Sequence, residues 1–303
     1  MRCMRVTPTN NQRLRDSINV AIAQETNATQ AVQYFRKQLE VEFGMPVVFE
    51  PLQTNSVAGG TVRPYWDQRT DVRQHSISLK PCEKWARPHK VAHELMHIAL
   101  ECEADAAGKR LTCVTSPQTP ARLLSLCDQP PKPDDAQLIK QLPSYARNIS
   151  VDLVVEARLQ RELPSIAAAQ FARLHLFDSV SRSSLQGWQV SPILRQALEA
   201  LVAVRSLFVD TCFPNPTHVN FDRFRNTPAG DLAGKLFAEF KSRFDRGLQP
   251  CEHYELMDRH AEIIGLPGLH SWSPKPLFQL LHPAPSLPAA PSPSVVLTGL
   301  SIT

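Results

Sequence analysis

Residues 91–100 read VAHELMHIAL, so two histidines four apart, and the glutamate after the first, sit inside an otherwise apolar run. A helix this apolar must be covered on most of its circumference, and burying two imidazoles and a carboxylate without partners is costly. Whatever packs around the run must therefore answer those three polar groups. On an α-helix, residues i and i+4 share a face with Cβ atoms about 5–6 Å apart, so His93 and His97 can converge on one ion at zinc–nitrogen distances of about 2.0–2.1 Å. Glu94 is rotated about 100° around the helix from His93, away from a ligand position and towards a water held on the same ion. Such a water is acidic near neutral pH, and a carboxylate beside it can take its proton and later return it to a leaving amine. The spacing H-E-x-x-H thus specifies a hydrolytic mechanism, with His93 and His97 as zinc ligands and Glu94 as general base. A helix carrying these residues by accident would place them on a polar surface face. Here Leu95, Met96, Ile98, Ala99 and Leu100 surround them.

A catalytic zinc needs a third protein ligand, and the same helix does not offer one. His89 and His97 stand about 12 Å apart along the axis at 1.5 Å per residue, too far to share an ion. His89 is therefore expected near the helix start or behind the ligands. Glu101 meets the same objection relative to His93, and Glu103 would need a glycine turn where position 100 is Leu. Residues 148–156 read NISVDLVVE, which puts Asp152 and Glu156 four apart on one helix face with Leu153, Val154 and Val155 between them. A carboxylate pair on a mostly buried helix needs positive charge nearby, which a zinc ion with two histidines supplies. One acid would bind the metal and the other would orient a histidine or the ligand. Spacing alone leaves open which acid does which, and pairing with Arg147, Arg158 or Arg161 is the plainer alternative. Tyr145, His218, His253 and Tyr254 are available to hold a developing oxyanion.

The rest of the chain predicts an α+β protein. Apolar positions at 3–4 residue spacing predict a helix from Thr29 to Phe43, capped by Asn27 and ended by Gly44. Short strands follow at 45–50, 61–65 and 76–80, the last alternating polar and apolar. Pro88 suits the start of the motif helix. Residues 113–135 read as a long connection, helix resumes at Ala136, and Pro143 is expected to break it before a second helix over 145–163. Further helices are predicted at 166–180, 192–210, 229–244 and 251–264. These elements divide into an N-terminal extension (1–27), a core of small sheet and motif helix (28–163), a helical region (164–272) and a proline-rich, disordered tail (273–303). The strand at 76–80 is expected to offer an open edge to an extended peptide.

At 303 residues with a net charge of +4, the chain gives no strong reason to expect nucleic acid or an anionic membrane as partner. Arg223, Arg225, Lys241, Arg243 and Arg246 read as a solvated surface. No apolar run approaches the roughly 18–20 residues that span a bilayer, and the N-terminus has no apolar signal region. Seven cysteines are scattered without C-x-x-C spacing, against both a disulfide framework and a cysteine-rich metal knuckle. A cytoplasmic protein is expected.

HELMH followed by a distant acidic helix resembles the zincin superfamily of zinc metallopeptidases, in particular minimal gluzincin-like members such as the ImmA/IrrE-type proteases. The resemblance covers residues 28–163. It implies a small sheet packed on the motif helix, bound Zn2+, and hydrolysis of peptide bonds in a protein or peptide substrate, by analogy one selected regulatory protein. The gluzincin pattern implies Glu156 as third ligand. The stretch NISVDLVVE is also similar to an Asn-Ile-x-x-Asp stretch in other HExxH proteins, which implies Asp152. Leu100 and Glu103 depart from the metzincin pattern, which has a glycine and a third histidine there. The alternative function is a non-catalytic, zinc-containing regulatory or interaction protein, for which an intact Glu94 would be superfluous.

Overall fold

A computed structural model of the chain describes residues 8–51, 60–67, 72–114, 118–184, 188–213 and 221–275. The first element, α1 (Pro8–Phe43), is one continuous helix. Asn27 therefore lies inside it rather than capping it, and the expected boundary between 27 and 28 falls within a helix. The reason is visible in the buried stripe Ala21, Ala28, Val32 and Leu39. Small alanines carry the stripe towards the N-terminus, where a reading of large apolar side chains stops. Gly44, at φ +66°, ends the helix in the left-handed conformation that glycine adopts most cheaply.

Three strands follow: β1 (Val47–Pro51), β2 (Gly60–Asp67) and β3 (Val72–Leu79). They form a sheet in the order β1-β3-β2, with β1 parallel and β2 antiparallel to β3. The expectation of an open edge at residues 76–80 is thereby corrected, because β3 is the central strand and is paired on both sides. Alternation along a strand reports which residues face the core, with Ile77 fully buried. It carries no information about neighbours in the hydrogen-bonding direction.

The motif helix is α2 (Arg87–Ala106), with Pro88 in its first turn. Ala92, Leu95, Met96 and Ala99 are buried, and the helix packs on α1, β2 and β3. After β4 (Leu111–Val114) and the short α3 (Gln118–Ser125) comes α4 (Asp135–Glu162), which runs unbroken through Pro143. A proline inside a helix costs about 3 kcal/mol. Leu138, Ile139 and Leu142 before it and Ala146 and Ile149 after it are all buried. At about 1.5–3 kcal/mol for each large side chain, that burial outweighs the lost hydrogen bond.

The remaining helices are α5 (Ala167–Ser184), α6 (Pro192–Cys212), α7 (Pro228–Asp245) and α8 (Glu252–Ile263). Strand β5 (Ser271–Pro274) pairs antiparallel with β4, so the first residues of the expected tail are strand; those from 276 onward lie outside the described residues. The fold is α+β, with eight α-helices and two small sheets among the described residues. One apolar core extends from Ala28 to Leu269. Helix α4 packs against α2, α3, α5, α6, α7 and α8, so residues 164–272 complete the same core. Among the described residues, no helix is long and apolar enough to cross a membrane.

Candidate metal centre

The chemistry-bearing faces of α2 and α4 meet. His93 Nε2 and His97 Nε2 are 3.1 Å apart, and Asp152 Oδ1 lies 3.5 Å from the first and 3.4 Å from the second. Ligand atoms at about 2.0–2.1 Å from a tetrahedral ion stand about 3.3–3.4 Å from one another. Three donors on two helices thus already have the mutual spacing of a zinc shell.

Glu156 is also present, one turn along α4, but its oxygens are engaged. Oε1 accepts from His93 Nδ1 at 2.8 Å, and Oε2 accepts from His89 at 2.9 Å and from Gln170 Nε2 at 2.7 Å. Partners fix the direction of each bond. Arg173 can only donate, so His89 Nδ1, 3.2 Å from its Nη1, accepts. His89 Nε2 then carries the proton that it shares with Glu156. His93 donates a hydrogen bond from Nδ1–H to the same carboxylate and turns Nε2 towards His97 and Asp152. A carboxylate on the far nitrogen of a metal-ligating histidine fixes its tautomer and orientation. Asp152 is divided differently: Oδ1 faces the histidines while Oδ2 accepts from Arg205 Nη2 at 2.8 Å.

Two groups of potential donors overlap here, His89–His93–Glu156 and His93–His97–Asp152. Access separates them. The His89 and Glu156 side chains are 2% and 5% exposed, whereas those of His93, His97 and Asp152 are 19%, 25% and 19% exposed. The first group is a closed hydrogen-bond network. The second can admit water and a ligand.

Electrostatics agree with this division. Burial disfavours charge on His93, but the hydrogen bond with Glu156 and the charges of Asp152, Glu156 and Glu94 outweigh it and push the imidazolium up to about 9. Burial likewise opposes ionisation of Glu156, yet its bonds and charge interactions with His89 and His93 keep it well below the usual carboxylate range. Burial lowers His89, with Glu156 opposing, consistent with a neutral ring between Arg173 and Glu156.

Glu94 is 9% exposed on α2, and its charge acts on His93, Lys90 and Arg173. The other acids weighed as ligands are engaged elsewhere, Glu101 with Arg110 and Glu103 with Arg158. Arg158 and Arg161 bond Glu162 rather than the Asp152–Glu156 pair. Of the four side chains considered for the oxyanion, His218 lies outside the described residues, Tyr145 is 44% exposed, and Tyr254 directs its hydroxyl to Glu101. His253 is buried, Nδ1 has no hydrogen-bond partner, and burial, then His97, pushes its pKa down to about 4. Of the basic residues read as a solvated surface, Arg225 pairs with Asp222, Lys241 with Asp245, and Arg243 with Glu239 and Glu255.

Gln170, Arg173 and Arg205 were not foreseen from the sequence. Arg205 had a readable signal: it is the one charge in the run LVAVRSLFV. A cation on a helix face that apolar demands an acid across the interface. Gln170 and Arg173 offered none of comparable strength. Compared with protein-family models, with curated proteins and with solved structures, the chain matches none.

Proposed function

We propose that the chain is a zinc-dependent peptide hydrolase, with the sheet β1–β3 and helices α2 and α4 forming a minimal zincin-like core. The observation that carries this reading is the convergence of His93 Nε2, His97 Nε2 and Asp152 Oδ1 at 3.1–3.5 Å on a partly exposed face. A zinc ion held there would supply a Lewis acid for the scissile carbonyl and an acidified water. Asp152 is the third ligand and Glu156 the residue that orients His93. Glu94, close enough for its charge to act on His93, takes the proton from the attacking water and delivers it to the leaving amine. His253, buried with Nδ1 lacking a hydrogen-bond partner and within reach of the charge of His97, is the side chain we assign to the developing oxyanion. An extended protein or peptide substrate adds along the outer edge of β2, which packs against α2 and has no second partner strand among the described residues.

The test begins with metal analysis of the purified protein beside His93→Ala and His97→Ala. About one zinc per chain is expected, lost in both variants. A peptide-library digest with intact protein and Glu94→Gln then separates an enzyme from a zinc-containing interaction protein. Cleavage by the intact protein alone supports the hydrolase. Absence of bound zinc, or equal cleavage by Glu94→Gln, would overturn it.

A further inference from the structure

Both carboxylates of the centre are braced from behind, but by different means. Glu156 is held by Gln170 and by His89, which Arg173 backs. Asp152 is held by Arg205, which reaches across from α6 to Oδ2 at 2.8 Å. Its neighbours Val204 and Ser206 are fully buried, and the Arg205 side chain itself is only 15% exposed. An arginine in such a place is costly unless paired with an acid. The charge of Arg205 also disfavours that of Arg173, so the two cations are held near each other by the carboxylates they serve.

The contact divides the work of the two Asp152 oxygens. Oδ1 stands at ligand spacing from both histidines, and Oδ2 is occupied by the guanidinium. A carboxylate that binds a metal through one oxygen leaves a three-ligand shell with an open position. Binding through both oxygens raises the coordination number towards the oxygen-rich shells of calcium or manganese. For Asp152 to bind through both, Oδ2 would have to share its lone pairs between the metal and Arg205, whose positive charge opposes a second cation at that oxygen. Because a guanidinium keeps its proton at any ordinary pH, this constraint persists across the working range.

We infer that Arg205 is a positioning residue that keeps Asp152 monodentate and so selects a four-coordinate metal such as zinc over ions that require larger oxygen shells. This rests on the metal-centre reading given above. It adds that selectivity is set by a helix outside the motif-bearing pair.

The experiment uses full-length protein stripped by chelation and reloaded with cobalt(II), whose visible absorption is strong in four-coordinate sites and weak in six-coordinate ones. Zinc and manganese affinities are measured alongside by competition, for the native protein, Arg205→Met and Arg205→Lys. The native protein should show the strong cobalt spectrum. Arg205→Met should show a weaker one, with zinc bound about 10–100-fold less tightly and the zinc-to-manganese preference reduced. Arg205→Lys, which keeps the charge without the planar fork, should fall between them. A native spectrum and a native zinc-to-manganese ratio in Arg205→Met overturn the inference. If native protein binds neither cobalt nor zinc, the metal-centre reading fails first, and the two failures are thereby distinguished. Circular dichroism of the stripped variants checks folding; should Arg205→Met not fold, Arg205→Gln carries the same expectation and the same refutation.

Discussion

Asp152 and Glu156 are four residues apart on one helix, yet their removal should fail in opposite ways. Glu156 accepts from His89, His93 and Gln170 with a side chain 5% exposed. Glu156→Ala leaves His89 Nε2 and His93 Nδ1 unanswered at about 1–3 kcal/mol each, while Gln170 Nε2 keeps the main-chain carbonyl of residue 156; the loss is partly offset by no longer burying a carboxylate. The metal-free protein should therefore lose about 3–5 kcal/mol, the usual scale for breaking a buried charged network from one side. Its zinc affinity should fall by about 10–100-fold, as for an outer-sphere partner of a ligand. Asp152→Ala removes the proposed third ligand, so on that reading zinc affinity should fall by more than about 100-fold. The stability loss should be smaller, about 1–2 kcal/mol, because Asp152 is 19% exposed and Arg205 retains some solvent contact. Zinc competition against a chromogenic chelator reads the first quantity, and urea unfolding of chelator-treated protein reads the second. If Glu156→Ala proves the weaker zinc binder of the two, the assignment of ligand and orienting residue is reversed and the argument from oxygen occupancy is wrong.

Glu94→Gln should retain zinc and the native unfolding midpoint while lowering kcat by about 10²–10⁴-fold, measured on a cleaved peptide. His253 and His260 should make the protein acid-sensitive whether or not metal is bound. Burial first, then His97 for His253, holds their folded-state pKa values at about 4. The unfolded chain, near 6.5, takes up protons that the folded chain refuses, so stability is complete above about 6.5 and falls as pH drops towards 4. Each ring contributes a slope of about 1.4 kcal/mol per pH unit inside that window, and His260→Gln should remove one ring's share in urea titrations at pH 4.5 and 6.5. Leu95→Ala, at a fully buried position under the motif, should cost about 2–5 kcal/mol in thermal or urea unfolding. A loss below 1 kcal/mol there would contradict the buried setting of α2.

Much of the helical layout was legible because apolar periodicity is local. The helices expected at 166–180, 192–210, 229–244 and 251–264 lie within or close to α5 to α8. Local rules failed where tertiary burial overrode them. Pro143 is spanned because the core grips α4 on both sides of it, and Asn27 is passed over because Ala21 and Ala28 extend the buried stripe of α1. The place of β3 was unreadable for another reason, since strand order is decided by hydrogen bonds perpendicular to the chain.

The centre divides along the same line. The i,i+4 spacings of His93 with His97 and of Asp152 with Glu156 are properties of the chain alone, because helix geometry places each pair on one face. Neither spacing says how far along the partner helix the two faces meet. That axial offset puts Asp152 Oδ1 at ligand spacing from both histidines and brings Glu156 behind His93. The packing of α5 and α6 then supplies Gln170, Arg173 and Arg205, each holding one group of the centre in place. The motif determined which side chains could share an ion; only the docking of α4 on α2, with α5 and α6 packed on α4, decided which carboxylate oxygen is turned towards the two histidines.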